Sequence, residues 1–339
     1  MSPIPVLVLF GPTASGKTEI LSRLAARIGG GPWGGLELVS ADSMQVYRGM
    51  DIGTAKPSPE ERHRIPHHLI DIRDPGEQFN AGEFVRLADE CCGQIAGRGA
   101  LPVVSGGTGF YLKNFILGLS EAPPSDRGIR AALREELRSR GPGALMEELS
   151  QVDPTSAARI HLNDEYRLLR ALEVFRLSGR PLSSFKSGPS GTVEEEPGRG
   201  GRYRFLIVGL RRGRQELYRR IDERCARMFR AGLAAEVRGL VEQGYGPGDP
   251  GLRAIGYREF FIQTGEEIEG AAASPRPFRL ATDLAAVEAL AAQNSRRYAK
   301  RQITYFASIP QVRWIDLGDR GGDPAEQIRT MAADFLARP

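Results

Sequence analysis

The stretch VLVLFGPTASGKT, residues 6–18, decides the fold class of this 339-residue chain. Five apolar residues run directly into G-x-x-x-x-G-K-T, the pattern of a phosphate-binding loop, and a helical pattern follows. In such a unit a buried strand ends, and backbone N–H groups at the start of the helix point at phosphate oxygens. We therefore predict that a polyphosphate binds Gly11, Pro12, Thr13, Ala14, Ser15, Gly16, Lys17 and Thr18. Thr18 is the expected ligand of Mg²⁺.

Further apolar runs alternate with helical patterns, and this alternation favours a parallel sheet. We predict an α/β fold, a P-loop NTPase-like parallel sheet covered by helices, with a mainly helical insertion domain. The predicted strands lie at residues 6–10, 36–40, 69–72, 101–104, 205–210 and 312–317. Residues 215–243 read as one long amphipathic helix.

The helical region between residues 125 and 178 suggests three parts along the chain. Residues 1–122 would form the first part of the core, and residues 201–339 would complete it with basic C-terminal helices. Residues 123–200 would form the helical insertion. Its end, rich in Gly, Pro, Ser and Glu, predicts a flexible loop.

Composition narrows the class of protein. A hydrophobic content of 41% is ordinary for a globular chain, and no apolar stretch approaches the roughly 18 residues of a membrane span. The three cysteines show no metal-binding spacing. We expect a soluble cytoplasmic protein without disulfides. Only five of the 46 basic residues are lysine, and this arginine bias is weak support for an RNA partner.

Apart from the P-loop, the sequence lacks the second motif that is typical of nucleotide hydrolases. A P-loop ATPase or GTPase usually has a second strand that ends in Asp and supports Mg²⁺. Here the 101–104 strand continues into Ser105-Gly106-Gly107-Thr108. Asp71 and Asp74 stay open as alternative strand ends.

Asp42 follows the 36–40 strand and should face the same crevice as Lys17, because carboxyl ends of parallel strands meet at one edge. A carboxylate beside bound phosphate is suited to accept a proton from a second substrate or to bind Mg²⁺. The alternative is that Asp42 caps a helix.

Seven segments, spread in order from residue 11 to 306, resemble the motifs of the tRNA dimethylallyltransferases. They are GPTASGKT (11–18), DSMQVYRGMDIGTAKP (42–57), HHLIDI (67–72), GGTGFY (106–111), RLLRALEV (167–174), AIGYRE (254–259) and YAKRQITYF (298–306). The resemblance implies transfer of a dimethylallyl group from dimethylallyl pyrophosphate to N6 of the adenosine 3′-adjacent to the anticodon in tRNA. It further implies a Mg²⁺ requirement and a monomer without a protein partner.

The resemblance also assigns site residues. Asp42 matches the proposed base, Thr108 meets the target nucleotide, and Arg224 contacts pyrophosphate. We add Arg220, which is spaced i, i+4 from Arg224 on the predicted helix. The alternative is that both arginines belong to a solvated stripe that pairs with Glu216 and Glu223.

The tRNA-binding segments form a larger set, which places the anticodon stem-loop on basic surfaces of the core and the insertion. Its members are Asp42, Ser43, Met44, Gln45, Thr108, Arg130, Tyr166, Arg167, Leu168, Leu169, Arg170, Arg253, Gly256, Tyr257, Arg258, Lys300, Arg301 and Gln302. The histidine pair His67-His68 is expected to be structural, and we predict no zinc site.

Three departures from the family pattern affect the predicted RNA contacts. The segment 79–84 (FNAGEF) matches the family's usual Tyr-Ser-x-x-Asp-Phe only loosely. Ala307 stands where the family usually has Arg, which removes one side chain for an RNA phosphate. The segment 265–283 is longer than the corresponding segment usually is in the family.

Two other functions stay open from the residues alone. A small-molecule kinase would use the same loop for ATP and Asp42 to deprotonate an alcohol. A nucleotide-controlled RNA-binding protein would use the loop as a switch, and its RNA affinity would survive loss of Asp42.

Overall fold

The computed structural model describes residues 3–28, 34–185, 201–264, 277–318 and 322–337. The predicted loop at the end of the insertion (186–200) and most of the long segment 265–283 lie outside the described residues. The strands are β1 (Ile4–Phe10), β2 (Leu36–Ser40), β3 (His67–His68), β4 (Leu101–Gly106), β5 (Tyr203–Arg211), β6 (Phe261–Gln263), β7 (Phe278–Leu280) and β8 (Arg313–Asp316).

The described α-helices are eleven in number. They are α1 (Lys17–Ile28), α2 (Pro59–Arg64), α3 (Ala81–Gly97), α4 (Gly109–Leu117), α5 (Arg127–Val152), α6 (Pro154–Ala157), α7 (Glu165–Ser178), α8 (Arg214–Arg230), α9 (Leu233–Glu242), α10 (Leu284–Phe306) and α11 (Pro324–Leu336). Among the described residues, no helix is long and apolar enough to cross a membrane.

Six strands form one parallel sheet in the order β3-β2-β4-β1-β5-β8, which confirms the predicted fold class. The central strand β1 is buried on both faces, and its five residues from Val6 to Phe10 are at most 1% exposed. Burial on both sides explains why this strand is a continuous apolar run rather than an alternating one. The small hairpin of β6 and β7 is antiparallel.

The register brings several strand ends to one edge of the sheet. Phe10 is opposite Gly106, and Ser40 is opposite Ser105. Phe306 of α10 packs on Phe10 with ring centroids 4.7 Å apart. The P-loop, the Asp42 segment and the turn after β4 therefore leave the sheet side by side, with α10 packed against β1.

Two predicted elements are wrong. Residues 69–72 are not a strand: β3 covers only His67–His68, and the backbone is left-handed at Leu69 (φ 63°) and Asp71 (φ 56°). The predicted helix 215–243 is two helices, α8 and α9. Gly232 separates them with φ at 100°, a left-handed conformation that cannot continue a helix.

The chain forms two compact units, residues 1–116 with 200–339 and residues 117–199. The second unit has its own apolar core, formed by α5 and α7 around Leu133, Leu149 and Leu172. The sheet belongs wholly to the first unit, and every residue of the cavity described below belongs to that unit.

Candidate active site

The phosphate loop connects the end of β1 to the start of α1. Its backbone is left-handed at Ala14 (φ 61°) and Gly16 (φ 101°). Lys17 is the first residue of α1, and its ammonium donates hydrogen bonds to the carbonyl oxygens of Gly11 (2.8 Å) and Pro12 (3.0 Å). A positive side chain thus lies beside a helix N-terminus, the arrangement that binds phosphate groups in proteins.

A cavity of about 990 Å³ opens beside this loop. It gathers predicted site residues from the P-loop, the segment after β2, helix α8, the turn between α9 and β6, and α10. They are Thr13, Ala14, Ser15, Gly16, Lys17, Thr18, Asp42, Ser43, Met44, Gln45, Arg220, Arg224, Arg253, Gly256, Arg258, Arg301 and Gln302.

Asp42 is held at the cavity wall by its own turn. Its Oδ1 accepts hydrogen bonds from the backbone N–H groups of Met44 (2.9 Å) and Gln45 (3.3 Å). No helix follows at residues 43–49, so the carboxylate caps a turn and not a helix. The hydroxyl of Thr108 accepts from the N–H of Ser43 (3.0 Å) and so ties this turn to the end of β4.

The charge balance of the cavity favours an anionic ligand. Burial, helped by the nearby Arg224, lowers the pKa of Lys17 to about 8, although Asp42 opposes the shift. Burial also lowers the pKa of Arg224, whose Nη2 lies 3.4 Å from the carbonyl oxygen of Thr54. Two desolvated cations therefore share one nearby carboxylate. A bound diphosphate would remove this electrostatic cost.

The arginines of α8 divide between two environments. Arg219 is exposed and pairs with Glu216 and Glu223, so the solvated stripe exists but contains Arg219. Arg220 instead lines the cavity, and its Nε donates to the carbonyl oxygen of Ala14 (3.0 Å). Arg220 therefore binds the backbone of the P-loop.

Arg212 braces the same loop and was missed by sequence reasoning. Its Nη2 donates to the carbonyl oxygen of Ser15 (3.3 Å), and burial together with Arg220 lowers its pKa. Its position just after β5 was the only available signal, because parallel strand ends converge at this edge.

Helix α10 contributes both surface and buried residues. Lys300 is exposed and Arg301 lines the cavity, so both stay predictions for RNA contact. Gln302 is only 5% exposed, and its amide binds the backbone of Thr13 and Gly107. RNA contact by Gln302 stays a prediction; in this structure its polar atoms are engaged inside the protein.

In the insertion, two arginines that are predicted to contact RNA bind the buried carboxylate of Glu173. It accepts from the guanidinium groups of Arg130 (3.0 Å) and Arg170 (3.0 Å), and also from the hydroxyl of Ser125. These partners lower the pKa of Glu173 against the effect of its burial. In this structure the two arginines neutralise a core carboxylate; RNA contact by either stays a prediction.

The neighbouring residues of α7 separate by exposure. Leu168 (0% exposed) and Leu169 (4%) pack in the core of the insertion, and RNA contact by either stays a prediction. Tyr166 is 72% exposed with Arg130 stacked 4.8 Å from its ring centre, and Arg167 is exposed as well. Tyr166 and Arg167 are therefore the exposed members of this group.

Tyr257 is also a core residue, and its contact with RNA stays a prediction. It is fully buried, and its hydroxyl donates to Glu236 of α9 (2.6 Å). The same carboxylate accepts from the N–H groups of Asp51, Ile52 and Gly53 at 2.7–3.1 Å. Glu236 thereby shapes the 51–53 wall of the cavity, a role that sequence reasoning missed.

The structure also shows the surroundings of Asp71, the alternative strand end, and of the histidine pair His67-His68. Asp71 binds Lys56 (2.6 Å) and Arg62 (2.8 Å), so it is engaged in ion pairs and does not stand at a strand end. Nδ1 of His67 contacts the carbonyl oxygen of Ile65, and Nε2 of His68 contacts Glu37. Among the described residues, no group of three His, Cys, Asp or Glu side chains is arranged to hold a metal ion.

Comparison with known proteins places this site in a family. The family model described as IPP transferase matches residues 45–309. The chain belongs to the IPP transferase family. Two relatives within the IPP transferases are tRNA dimethylallyltransferases, from Geobacter sulfurreducens (44% identity; 99% of this chain and 98% of the relative) and Symbiobacterium thermophilum (44%; 93% and 90%).

A solved structure of a tRNA isopentenylpyrophosphate transferase is also similar to this chain over nearly its whole length. The full-length tRNA isopentenylpyrophosphate transferase from Bacillus halodurans is 35% identical, with a TM-score of 0.65 over 98% of this chain and 97% of that chain. A eukaryotic dimethylallyltransferase acting on tRNA has a TM-score of 0.76 at 24% identity, which supports the shared fold.

Proposed function

We propose that this protein transfers a dimethylallyl group from dimethylallyl pyrophosphate to N6 of the adenosine 3′-adjacent to the anticodon in tRNA. One observation carries the proposal: a single cavity is lined by the P-loop, by two desolvated cations (Lys17 of the loop and Arg224 of α8) and by Asp42. The loop and the two cations suit a pyrophosphate leaving group, and the Asp42 carboxylate suits a substrate that must lose a proton. The relatives named tRNA dimethylallyltransferase support this reaction.

In the reaction, N6 of adenosine attacks C1 of the dimethylallyl group. The C1–O bond breaks, and its electron pair leaves with pyrophosphate. N6 must lose one proton because its lone pair becomes the new C–N bond, and the Asp42 carboxylate accepts that proton. Negative charge grows on the leaving oxygen, where Lys17, Arg224 and the loop amides stabilise it.

Mg²⁺ fits the same position. The Thr18 side chain lines the cavity at the start of α1, and a hydroxyl oxygen is a ligand that Mg²⁺ accepts. Since no three His, Cys, Asp or Glu side chains among the described residues are arranged to hold a metal ion, pyrophosphate and water oxygens would complete the coordination. When bound, Mg²⁺ would neutralise part of the pyrophosphate charge.

An apolar wall would cover the prenyl group. Met44, Ile52, Met228 and Phe229 line the cavity and pack against a buried apolar cluster. An allylic carbon that develops positive charge reacts with water, so exclusion of water directs it to the adenosine amine.

The adenosine must leave its stack to reach Asp42, because a stacked base cannot enter a cavity. Arg253, Arg258 and Arg301 line the cavity and Lys300 lies exposed on the same helix as Arg301. We assign these side chains to the RNA backbone. Tyr166 and Arg167 would give the insertion its own contact with the anticodon arm. A monomer suffices for all these roles.

The test is incubation of the pure protein with Mg²⁺, radiolabelled dimethylallyl pyrophosphate and an unmodified tRNA with adenosine at the proposed position. Digestion of the RNA should yield label on N6 of that adenosine, and a tRNA with guanosine there should stay unlabelled. ATP hydrolysis without label would instead favour the kinase or the nucleotide-controlled RNA-binding protein.

The lowered pKa of Lys17 predicts a pH dependence of pyrophosphate binding. Lys17 loses its proton in the free protein as pH rises through about 8. The affinity for dimethylallyl pyrophosphate should therefore fall above pH 8, approaching about tenfold per pH unit. Titrations between pH 7 and 9.5 measure this slope. Lys17→Arg keeps its charge over this range and should flatten it, whereas an unchanged slope in that variant would assign the effect to another group.

A further inference from the structure

Gln302 joins two parts of the cavity wall with one buried amide. Its Oε1 accepts from the N–H of Thr13 at 2.9 Å, and its Nε2 donates to the carbonyl oxygen of Gly107 at 2.8 Å. The side chain is 5% exposed. The approach is close: a Cβ at Gly107 would lie 2.6 Å from Nε2, so a larger residue there would displace the amide.

These two partners belong to opposite halves of the proposed reaction. Thr13 lies in the phosphate loop that would hold the prenyl donor. Gly107 precedes Thr108, whose N–H donates to the carbonyl oxygen of Ala41 (3.1 Å) and whose hydroxyl accepts from Ser43. Ala41 and Ser43 flank Asp42 in the chain. A short path of hydrogen bonds thus leads from the donor loop through Gln302 to the segment that would meet adenosine.

The same helix carries side chains suited to RNA. Arg301 is adjacent to Gln302 and lines the cavity, and Lys300 is exposed. Tyr298, one helical turn earlier, also lines the cavity. A shift of α10 on RNA contact would therefore act directly on the amide that holds the phosphate loop.

We infer that Gln302 is a positioning residue that couples the two substrate sites, so that pyrophosphate and the anticodon stem-loop each bind more tightly in the presence of the other. Coupling of this kind is reciprocal by thermodynamic necessity. The inference rests on the proposed function. A residue that merely stabilises the fold would change the melting temperature and leave the mutual dependence of the two affinities intact.

The experiment measures four affinities for each protein. A fluorescent anticodon stem-loop is titrated with and without saturating Mg²⁺ and inorganic pyrophosphate, and pyrophosphate is titrated with and without the stem-loop. In the unmodified protein each ligand should raise the affinity for the other by about tenfold. Gln302→Met, which keeps the side-chain length and removes both hydrogen bonds, should reduce that factor to below about twofold.

Lys300→Met on the same helix is the matched control. It removes an exposed charge, so it should weaken stem-loop binding and keep the coupling factor. Gln302→Glu provides a second test in case Gln302→Met does not fold: it keeps the acceptor for Thr13, loses the donor to Gly107, and should also lose coupling.

The outcomes separate the two proposals. A coupling factor that persists in either Gln302 variant overturns the inference, as does binding of both ligands to the unmodified protein without coupling. Both of these results leave the proposed function standing. If the unmodified protein binds neither ligand, the proposed function fails and the inference fails with it.

Discussion

Replacement of Asp42 by asparagine should lower the rate of prenyl transfer by about 10²–10⁴-fold and leave tRNA affinity within about twofold. Asparagine retains the side-chain oxygen that accepts from the N–H groups of Met44 and Gln45, so the turn should persist. The amide cannot accept the proton that N6 of adenosine must lose. The loss therefore falls on the chemical step and not on the folding of the site.

Single-turnover kinetics with saturating tRNA and dimethylallyl pyrophosphate isolate that step. The assay belongs near pH 7, because removal of the Asp42 charge would take away the one influence that raises the pKa of Lys17. Glu223→Gln is the matched control, since Glu223 is an acidic residue of the cavity that already pairs with Arg219. Equal rates for Asp42→Asn and the unmodified protein would exclude Asp42 as the base.

The core of the fold was predictable because its signals are local. The apolar run before the P-loop and the run at residues 36–40 gave strands at the predicted positions, and β2 matches residue for residue. Parallel strands end at a common edge, so the order of elements alone placed Asp42 and Lys17 together. Both line the cavity.

The features that the sequence did not predict depend on backbone conformation or on contacts between residues that are far apart in the chain. The left-handed backbone at Leu69 and Asp71 ended a run that reads as a strand. Gln302 is 289 positions from its partner Thr13, and Glu236 is 185 positions from Asp51. No pattern in a single sequence records such pairs, because hydrogen bonds between side chain and backbone leave no periodicity.

The predicted RNA surface shows a related limit. A motif marks a segment, but only exposure separates the residues that can reach a partner from those that hold the segment in place. Tyr166 and Leu168 are two positions apart on α7, yet one is 72% exposed and the other is fully buried. The helical period places them on different faces.

Replacement of Lys17 by methionine should lower kcat/KM for dimethylallyl pyrophosphate by about 10²–10³-fold, the usual effect of removing one donor to a developing oxyanion. Binding of the anticodon stem-loop measured without pyrophosphate should not change, because the loss is confined to the donor site. Lys113→Met is the matched control. Lys113 contacts Ser308 and the ring of Tyr305, away from the cavity-lining residues, so kcat/KM for the donor should be preserved.

The same variant distinguishes a catalytic lysine from a structural one. Burial lowers the pKa of Lys17, which means that the folded protein pays to keep it charged. Methionine removes that cost, so the melting temperature should stay level or rise even as activity falls, as is common where a site is kept strained for function. A lower melting temperature with an unchanged KM for the donor would show that Lys17 serves chiefly to close the loop through Gly11 and Pro12, and the phosphate-binding role would then pass to Arg224 and the loop amides.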